Sequence, residues 1–542
     1  QRLRGDAHGR VAVRVGERGP QRVLQRQVVA QPVAEAHAIE PGGSGQLLIK
    51  GVRALSLFQE YLGNAAAKLT WGVGGFVPTG SQLQFGNVSA YNMAVGAVDF
   101  QNPIELGTAA RTFEAGLYQG YGASTLTAVL SGAITGGVGA GIVKEGKGSL
   151  LFTGANSGAS ATMTVNLGAL LFEDASALPG TGSITLATST TSFSALGMLG
   201  DVNPITTFGS RITNPTTATS AFLVGADSSA TLNFTGFGLM RLSAFGLTSA
   251  TGAPAIGHAV NVTGTIVPAG GTYRLGGQYL TTNPTTANPG NSAINTLVLG
   301  GRNQLTGSNA LDMATGATTI TGANDLSGAT TISELADGVL FGIGNDASLG
   351  TSAITINGTS GTVRFATVNG DHFLANNLAW SGTSNVNMVI AGDGISDGAL
   401  NNLAQGVLTY GGSISLLATR TLTARDRHGA LLLGDLKDST AGFTSSASGY
   451  VSLLATAANA GVPKTYSGTT IIADTNTLVV DGNTFTKVTT PVLANDFSTI
   501  GELTTLVDDL TGISASNDGT KSAASASADA SAQAGAQGSA NA

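Results

Sequence analysis

Short runs of alternating apolar and polar residues recur along most of the chain. Between about residues 47 and 482, apolar side chains take every second position of these runs, and Gly, Asn, Asp or Ser separate one run from the next. A period of two predicts β-strands, because successive side chains of a strand point to opposite faces. The separating residues are typical of turns. Examples of such runs are residues 149–152, 162–165, 353–356 and 477–480.

Strands of this length are not stable as isolated hairpins. They are stable in stacked coils, where each strand pairs with its counterpart one turn away. The pattern therefore predicts an all-β fold, a parallel β-helix (β-solenoid), in which alternate residues point inward. Inward residues are expected to include Leu150, Phe152, Val165 and Ile332.

Internal repetition supports the stacking. The tetrapeptide Thr-Gly-Ala-Asn occupies residues 153–156 and 321–324, and Thr-Gly-Ser-Asn occupies residues 306–309. Residues 326–332 are echoed by residues 466–471. Such self-similarity indicates a repeat architecture. We expect the motif Gly to turn a corner. The motif Asn suits the same corner, because Asn tolerates the left-handed conformation and can stack on another Asn one turn away.

These motifs resemble a known family, the passenger-associated transport repeat, which is the autotransporter-associated β-strand repeat of bacterial surface proteins. The resemblance implies a right-handed parallel β-helix exported to the cell surface, and it implies no catalytic residues. It covers residues 65–482 unevenly. The segments that carry it are residues 144–150, 152–156, 165–170 and 321–332.

A solenoid needs caps at its two ends, because the terminal strands expose unpaired edges. Residues 497–510 have apolar side chains at helical spacing, with Asp496 or Ser498 as N-cap and Gly512 as terminator. We predict that this helix covers the last turn. At the other end, Leu55, Phe58 and Leu62 form either a short capping helix or strands.

Composition divides the chain further. The first 46 residues hold seven Arg against four acidic residues, whereas the tail beyond residue 513 has no large apolar side chain. The first segment is expected to be disordered or a mis-assigned lead, and the last a flexible Ser/Ala/Gly tail. The predicted divisions are a lead at 1–46, an N-terminal cap at 47–64, β-solenoid repeats at 65–482, a C-terminal cap with a helix at 483–513 and a disordered tail at 514–542.

Charge and composition exclude some classes of partner and location. Only 11% of the residues are charged and the net charge is −7, which argues against nucleic acid as a partner. There is no cysteine and no run of 18 apolar residues, so we predict no transmembrane segment in this chain. Large parts of the surface are expected to consist of Ser, Thr, Asn and Gly.

Candidate chemistry is sparse. Residues 370–372 and 426–428, which contain His372 and His428, are interpreted as polar turns. Residues 392–398 have oxygen-bearing side chains and glycines that suit calcium, but a single imperfect stretch favours a solvated turn. Asp371 and Asp393 form no evident catalytic pair. The only two tryptophans, Trp71 and Trp380, are a small number for a sugar-binding cleft. We therefore predict no catalytic, cofactor-binding or metal-binding residues and no enzyme activity.

The sequence predicts an extracellular or cell-surface structural or adhesive β-solenoid. Its expected partners are further copies of itself, assembled into layers or fibres, or glycans of a host or surface. The main alternative is a carbohydrate-active or carbohydrate-binding β-helix similar to a tailspike or lyase, and a third is an inert passenger fragment of a larger protein. Paired carboxylates and aromatic side chains in one groove would favour the carbohydrate alternative.

Overall fold

The structure is a computed structural model, and two compact units divide the chain. Unit 1 comprises residues 1–187, 192–200 and 208–214; unit 2 comprises residues 188–191, 201–207 and 215–542. The described ranges are 69–71, 77, 80–85, 98–116, 126–156, 159–188, 193–248, 255–277, 296–333, 339–357, 362–368, 370–380, 387–391 and 405–416. Outside these ranges, only the backbone pairing of strands is described.

Almost every regular element of the described chain is a short strand. The strands of unit 1 are β1 (Arg10–Ala12), β2 (Gln27–Val29), β3 (Ile39–Gly42), β4 (Gln46–Ile49), β5 (Leu69–Thr70), β6 (Leu83–Phe85), β7 (Val98–Phe100), β8 (Ile104–Glu105), β9 (Ala110–Ala115), β10 (Leu126–Leu130), β11 (Ile134–Thr135), β12 (Gly141–Glu145), β13 (Ser149–Phe152), β14 (Thr162–Val165), β15 (Gly168–Phe172), β16 (Ile184–Leu186) and β17 (Ser194–Met198).

Unit 2 is also built of short strands. They are β18 (Ala221–Val224), β19 (Leu232–Asn233), β20 (Arg241–Ala244), β21 (Gly246–Thr248), β22 (Ala255–Val262), β23 (Ile266–Val267), β24 (Thr272–Leu275), β25 (Thr296–Leu299), β26 (Ala310–Ala314), β27 (Gly316–Ile320), β28 (Thr330–Ser333), β29 (Val339–Ile343), β30 (Ile354–Ile356), β31 (Thr362–Thr367), β32 (Gly370–Leu374), β33 (Leu378–Trp380), β34 (Asn387–Ala391), β35 (Gln405–Tyr410), β36 (Ile414–Leu416), β37 (Arg420–Thr423), β38 (Ala430–Leu432), β39 (Leu436–Lys437), β40 (Phe443–Ser446), β41 (Tyr450–Leu453), β42 (Thr469–Ile472), β43 (Thr477–Val480), β44 (Asn483–Lys487), β45 (Val492–Ala494) and β46 (Ile513–Ser516).

Helix is confined, in the described residues, to α1 (Pro204–Phe208) and the 3-10 turn Gly209–Arg211. Pro204 is well placed at the first helical position, where its missing N–H leaves no carbonyl without a donor. No described helix has the length and apolar character needed to cross a membrane.

Unit 1 is organised into three ladders of parallel strands. Sheet A contains β7, β10, β13, β15 and β17; sheet B contains β6, β9, β12, β14 and β16; sheet C contains β5, β8 and β11. From β5 to β13 the strands visit sheets C, B and A in turn, and from β14 to β17 they alternate between sheets B and A. Each strand pairs with the strand that occupied the same sheet one turn earlier. The predicted all-β fold with parallel stacked strands is confirmed.

Unit 2 repeats this arrangement. Sheet D contains β18, β20, β24, β26, β28, β30, β33, β36 and β39, and sheet E runs from β22 through β25, β27, β29, β31, β34, β37 and β40 to β42. Sheet F contains β32, β35, β38, β41 and β43. All these strands pair in parallel, whereas β21, β44, β45 and β46, at the ends of these sheets, pair antiparallel.

The length of one turn follows from the strand register. Ser149 lies opposite Ala169, twenty residues further on, and Leu311 lies opposite Thr330 after nineteen. The chain therefore climbs one strand spacing, about 4.8 Å, for each circuit of roughly twenty residues in these regions. Other circuits are longer where a loop is inserted.

The interior is apolar, as the alternation predicts. Leu150, Phe152, Val165 and Ile332 are fully buried. In unit 1 the rings of Phe113, Phe152 and Phe172 form an edge-to-face series with centroids 6.4 and 5.6 Å apart. Such pairs add about 0.5–1.5 kcal/mol each to the free energy gained by burial.

Glycines occupy the corners that follow strands β10 and β13 of sheet A. The amides of Thr153 and Gly154 both donate to the carbonyl oxygen of Leu130, one turn below. A Cβ atom on Gly154 would overlap the carbonyl oxygen of Gly132, and one on Gly132 would overlap that of Asn102. Neither glycine has a positive φ. These corners therefore need glycine because successive backbones pass very close to each other.

The motif asparagines play a different part from the one expected. Asn156 is fully buried; its Oδ1 accepts from the amide of Ile134, 2.6 Å away, and its Nδ2 donates to the carbonyl of Ala177 at 2.8 Å. Asn324 bonds in the same way, to Leu305 and Ser348. Neither has a positive φ, so the left-handed conformation that Asn tolerates is not used at these corners. These side chains bond to the backbone of adjacent turns, because a buried amide must pair both its oxygen and its nitrogen.

The third copy of the tetrapeptide, at residues 306–309, is not equivalent to the others. Gly307 has a φ of 61°, and Asn309 Nδ2 donates within its own turn to Thr306, 2.9 Å away. Fifteen residues separate this copy from the one at 321–324, which is less than a full circuit. The two copies therefore lie at different corners of the same turn.

Both predicted capping helices, at 497–510 and at Leu55 to Leu62, lie outside the described residues. Within the predicted lead, β1 pairs with β2, and β3 pairs with β4, which begins at the last residue of the lead and continues into the predicted N-terminal cap. Within the predicted cap and tail, β44 pairs with both β43 and β46.

Candidate functional surface

The outer face of sheet B presents a regular column of small side chains. Thr112, Val143, Thr164 and Thr185 lie in register on β9, β12, β14 and β16. The hydroxyl of Thr213 continues the column, 2.9 Å from that of Thr185. Because side chains alternate along each strand, one uncharged residue per turn faces outward here. Thr185 and Thr213 are exposed and the others are half-buried.

A second outer column, two residues further along each strand, carries charge. Glu114 and Glu145 lie directly opposite each other on β9 and β12, and Gln84 on β6 is in register with Glu114. Gln82 Nε2 donates to Glu114, and Asn166 Nδ2 donates to Glu145 Oε1 at 2.6 Å. Amides thus bracket two stacked carboxylates. Burial, with a further contribution from Glu145, raises the pKa of Glu114.

Lys144 lies between these two columns on β12 but points inward. It is in register with Phe113 below and Val165 above, and its side chain is fully buried. Its Nζ donates to the carbonyl oxygens of Glu145, Gly146 and Leu167, at 2.7, 2.7 and 2.9 Å. Desolvation lowers the pKa of this ammonium to about 7.

The outer face of sheet A is different, because it is apolar and covered. Leu151 and Leu171 alternate with inward-facing neighbours, yet only 3% and 1% of their surfaces are exposed. Ala169 and Ala195 are equally inaccessible. Strands buried on both faces are typical of parallel sheets that lie beneath a further layer.

In unit 2 an ion pair crosses the outer face of sheet D. Arg241 Nη2 and Asp312 Oδ2 are 2.7 Å apart, and Ser333 Oγ donates to the other oxygen of Asp312. Arg274, on the strand between them, donates to the backbone carbonyls of Ala269 and Thr272. Burial lowers the pKa of Arg274. These groups satisfy one another and fix the outer surface of three turns.

His372 lies in strand β32, so the expectation of a polar turn at residues 370–372 is wrong. Its Nδ1 is 3.1 Å from Asp346 Oδ1 and its Nε2 is 2.8 Å from the carbonyl oxygen of Val368. Both neighbours are acceptors, so only the doubly protonated ring donates to both. The amide of Phe373 also donates to Asp346, and this bond lowers the pKa of that carboxyl group. Alternation within the strand, rather than a turn, directs His372 toward the preceding loop.

The other residues singled out in the sequence give no site. Residues 392–398, with Asp393, and residues 426–428, with His428, lie outside the described residues. Asp371 is exposed on β32, and Trp71 lies in the core against Phe113 with ring centroids 5.6 Å apart. A tryptophan packed in this way offers no platform to a sugar. Within the described ranges, no group of three or more His, Cys, Asp or Glu side chains is placed to hold a metal ion.

Neither the column formed by Glu114 and Glu145 nor the buried Lys144 was predicted from the sequence. A signal for Lys144 was present, because in β12 the alternation that turns Ile142 inward also turns Lys144 inward. No comparable signal existed for the glutamates. They are 31 residues apart in the sequence, and their position on neighbouring strands can be deduced only if the length of the intervening loop is known.

Comparison with known proteins adds no relative. No protein-family model matches the chain, and no curated protein or solved structure matches it significantly. The resemblance to the autotransporter-associated repeat therefore rests on the sequence motifs, and the fold of stacked parallel strands is consistent with it.

Proposed function

We propose that the chain is a structural or adhesive β-solenoid displayed outside the cell, of the autotransporter passenger type. In this proposal each unit is a closed, right-handed parallel β-helix, and the segment at 497–510 is a capping helix. The observation that carries the proposal is the agreement between motif and fold. Corner glycines such as Gly154 and bridging asparagines such as Asn156 serve the stacking of turns, as expected of a folding repeat.

The outer columns support an interaction role. The threonine column, which consists of Thr112, Thr164, Thr185 and Thr213 with Val143 between the first two, is uncharged and regularly spaced. Such a surface offers repeated hydroxyl groups to a repetitive partner, either another copy of the chain or a glycan. We favour a second copy, because in a partner with the same strand spacing every turn finds an equivalent turn.

The carbohydrate-active alternative gains less support. Trp71 is packed in the core, and the carboxylates of Glu114 and Glu145 are each held by an amide side chain. Hydrolysis of a glycosidic bond requires one carboxyl group free to protonate the leaving oxygen and another free to attack or to activate water.

Localisation tests the proposal directly. Intact cells that express the chain with its native flanking sequence are treated with protease, and the chain is followed with an antibody. We expect the chain to be degraded while a cytoplasmic marker survives. Permeabilised cells serve as the control, since both proteins should then be accessible. Full protection of the chain in intact cells would refute surface display.

A further inference from the structure

Two neighbouring turns of unit 1 carry an unusual pair of carboxylate side chains. Glu114 and Glu145 face each other in register on adjacent parallel strands, which lie about 4.8 Å apart. Like charges directly opposite each other in a sheet are destabilising. The flanking side chains, Gln82 and Asn166, donate hydrogen bonds but carry no charge.

The charges that act on Glu114 are few. On the neighbouring strand β12 these are Glu145, which points outward beside it, and Lys144, which points into the core. Strand β6 contributes the neutral Gln84. The ammonium of Lys144 donates to three backbone carbonyls. Its charge lowers the pKa of Glu114, against the larger effects of burial and Glu145, which raise it.

We propose that Glu114 and Glu145 form a proton-dependent clamp between β9 and β12. When the pair holds one proton, one carboxyl group donates a hydrogen bond to the other carboxylate and links the two turns. When the pair holds none, two negative charges face each other and the link becomes a repulsion. The clamp makes the stability of unit 1 respond to mild acid, and it does not depend on the proposed function.

The direction of the effect follows from the titration of Glu114. Burial, then Glu145, raises the pKa of Glu114 above its ordinary value of 4.5. A group whose pKa is higher in the folded chain contributes stability below its unfolded value and loses this contribution as the pH rises through its folded value. This pair should therefore stabilise unit 1 in mild acid and weaken it toward neutral pH.

The test uses a reporter inside unit 1. The chain has two tryptophans, so Trp380→Phe leaves Trp71, which contacts Phe113 on β9, as the only one. In this background Glu114→Gln imitates the protonated side chain. We expect it to raise the thermal unfolding midpoint at about pH 7.5 by about 2–4 °C, and to change it much less at about pH 5.

Two further variants discriminate the mechanism. Glu145→Gln removes the facing charge and should reduce the pH dependence of the midpoint, whereas Glu173→Gln, an exposed carboxyl group of the same unit, should leave it unchanged. If Glu114→Gln lowers the midpoint equally at both pH values, the pair is a structural polar contact and the clamp is refuted. If Glu145→Gln has no effect on the pH dependence, burial alone acts on Glu114 and the clamp is again refuted.

Discussion

Lys144 places an ammonium group where the pattern of the fold calls for an apolar side chain. The column to which it belongs contains Leu83, Phe113, Val165 and Leu186, all fully buried or nearly so. Two effects oppose each other at its Nζ. Desolvation favours the neutral amine, while three carbonyl acceptors match the three N–H groups that only the ammonium has.

The pH dependence of stability reveals the balance at Lys144. Its pKa falls from an ordinary value of 10.5 to about 7, so the unfolded chain binds more protons than the folded chain between these values. We predict that the free energy of unfolding of unit 1 rises by about 3 kcal/mol from pH 7 to 9.5. Urea denaturation followed by Trp71 fluorescence measures it, with Trp380→Phe as background.

Lys144→Met is the matched control for this prediction. Methionine keeps the length of the side chain but cannot titrate, so the rise should disappear in this variant. An equal rise in both proteins would show that other groups cause it. This window lies above neutral pH and is therefore separate from that of Glu114.

At the scale of the element, the corners after β10 and β13 bring the backbones of successive turns very close together. A methyl group on Gly154 would overlap the backbone of Gly132. Gly137, in the same unit, is a suitable contrast, because a Cβ atom there would meet the Thr108 methyl group and the Gly107 carbonyl oxygen at ordinary distances of 3.5 and 3.8 Å.

We predict that Gly154→Ala lowers the free energy of unfolding of unit 1 by about 1–3 kcal/mol, since the added methyl group forces two backbones apart. Gly137→Ala should change it by about 0.5 kcal/mol or less. Urea denaturation of both variants measures the difference. Equal effects would mean that loss of glycine flexibility, and not close approach, governs the corner.

Alternation made the strands and their inward faces predictable, because it is a local signal. Strands such as β13 and β14 and the buried Phe152 follow from it directly. Alternation did not predict which segments occupy equivalent positions in different turns. The similar segments 326–332 and 466–471 contribute to β28 in sheet D and β42 in sheet E. The same residue types suit any corner, so similarity alone does not reveal which corner a segment occupies.

At the scale of the whole molecule, the low charge favours association between copies. Net charge is only −7 over 542 residues, and the threonine column is uncharged, so little electrostatic repulsion opposes contact between copies. The terminal strands of a stacked fold also expose pairing groups, unless caps cover them.

We predict concentration-dependent self-association, which deletion of residues 497–510 increases by uncovering the last turn. Light scattering of the intact and truncated chains at matched concentration measures both effects. Two monomeric samples at high concentration would exclude assembly into layers or fibres and would favour an adhesin that acts singly.

The register between Ser149 and Ala169 has a bearing on how such a chain changes its size. Removing residues 149–168 would excise one complete circuit and join Gly148 to Ala169. Ala169 lies directly opposite Ser149, so it would take the place of Ser149 in the ladder. Removing half of that stretch would deliver every later strand of unit 1 to the wrong side. Growth and shrinkage are thus quantised. The circuit is the smallest piece of sequence that duplication or loss can exchange without dismantling the later turns.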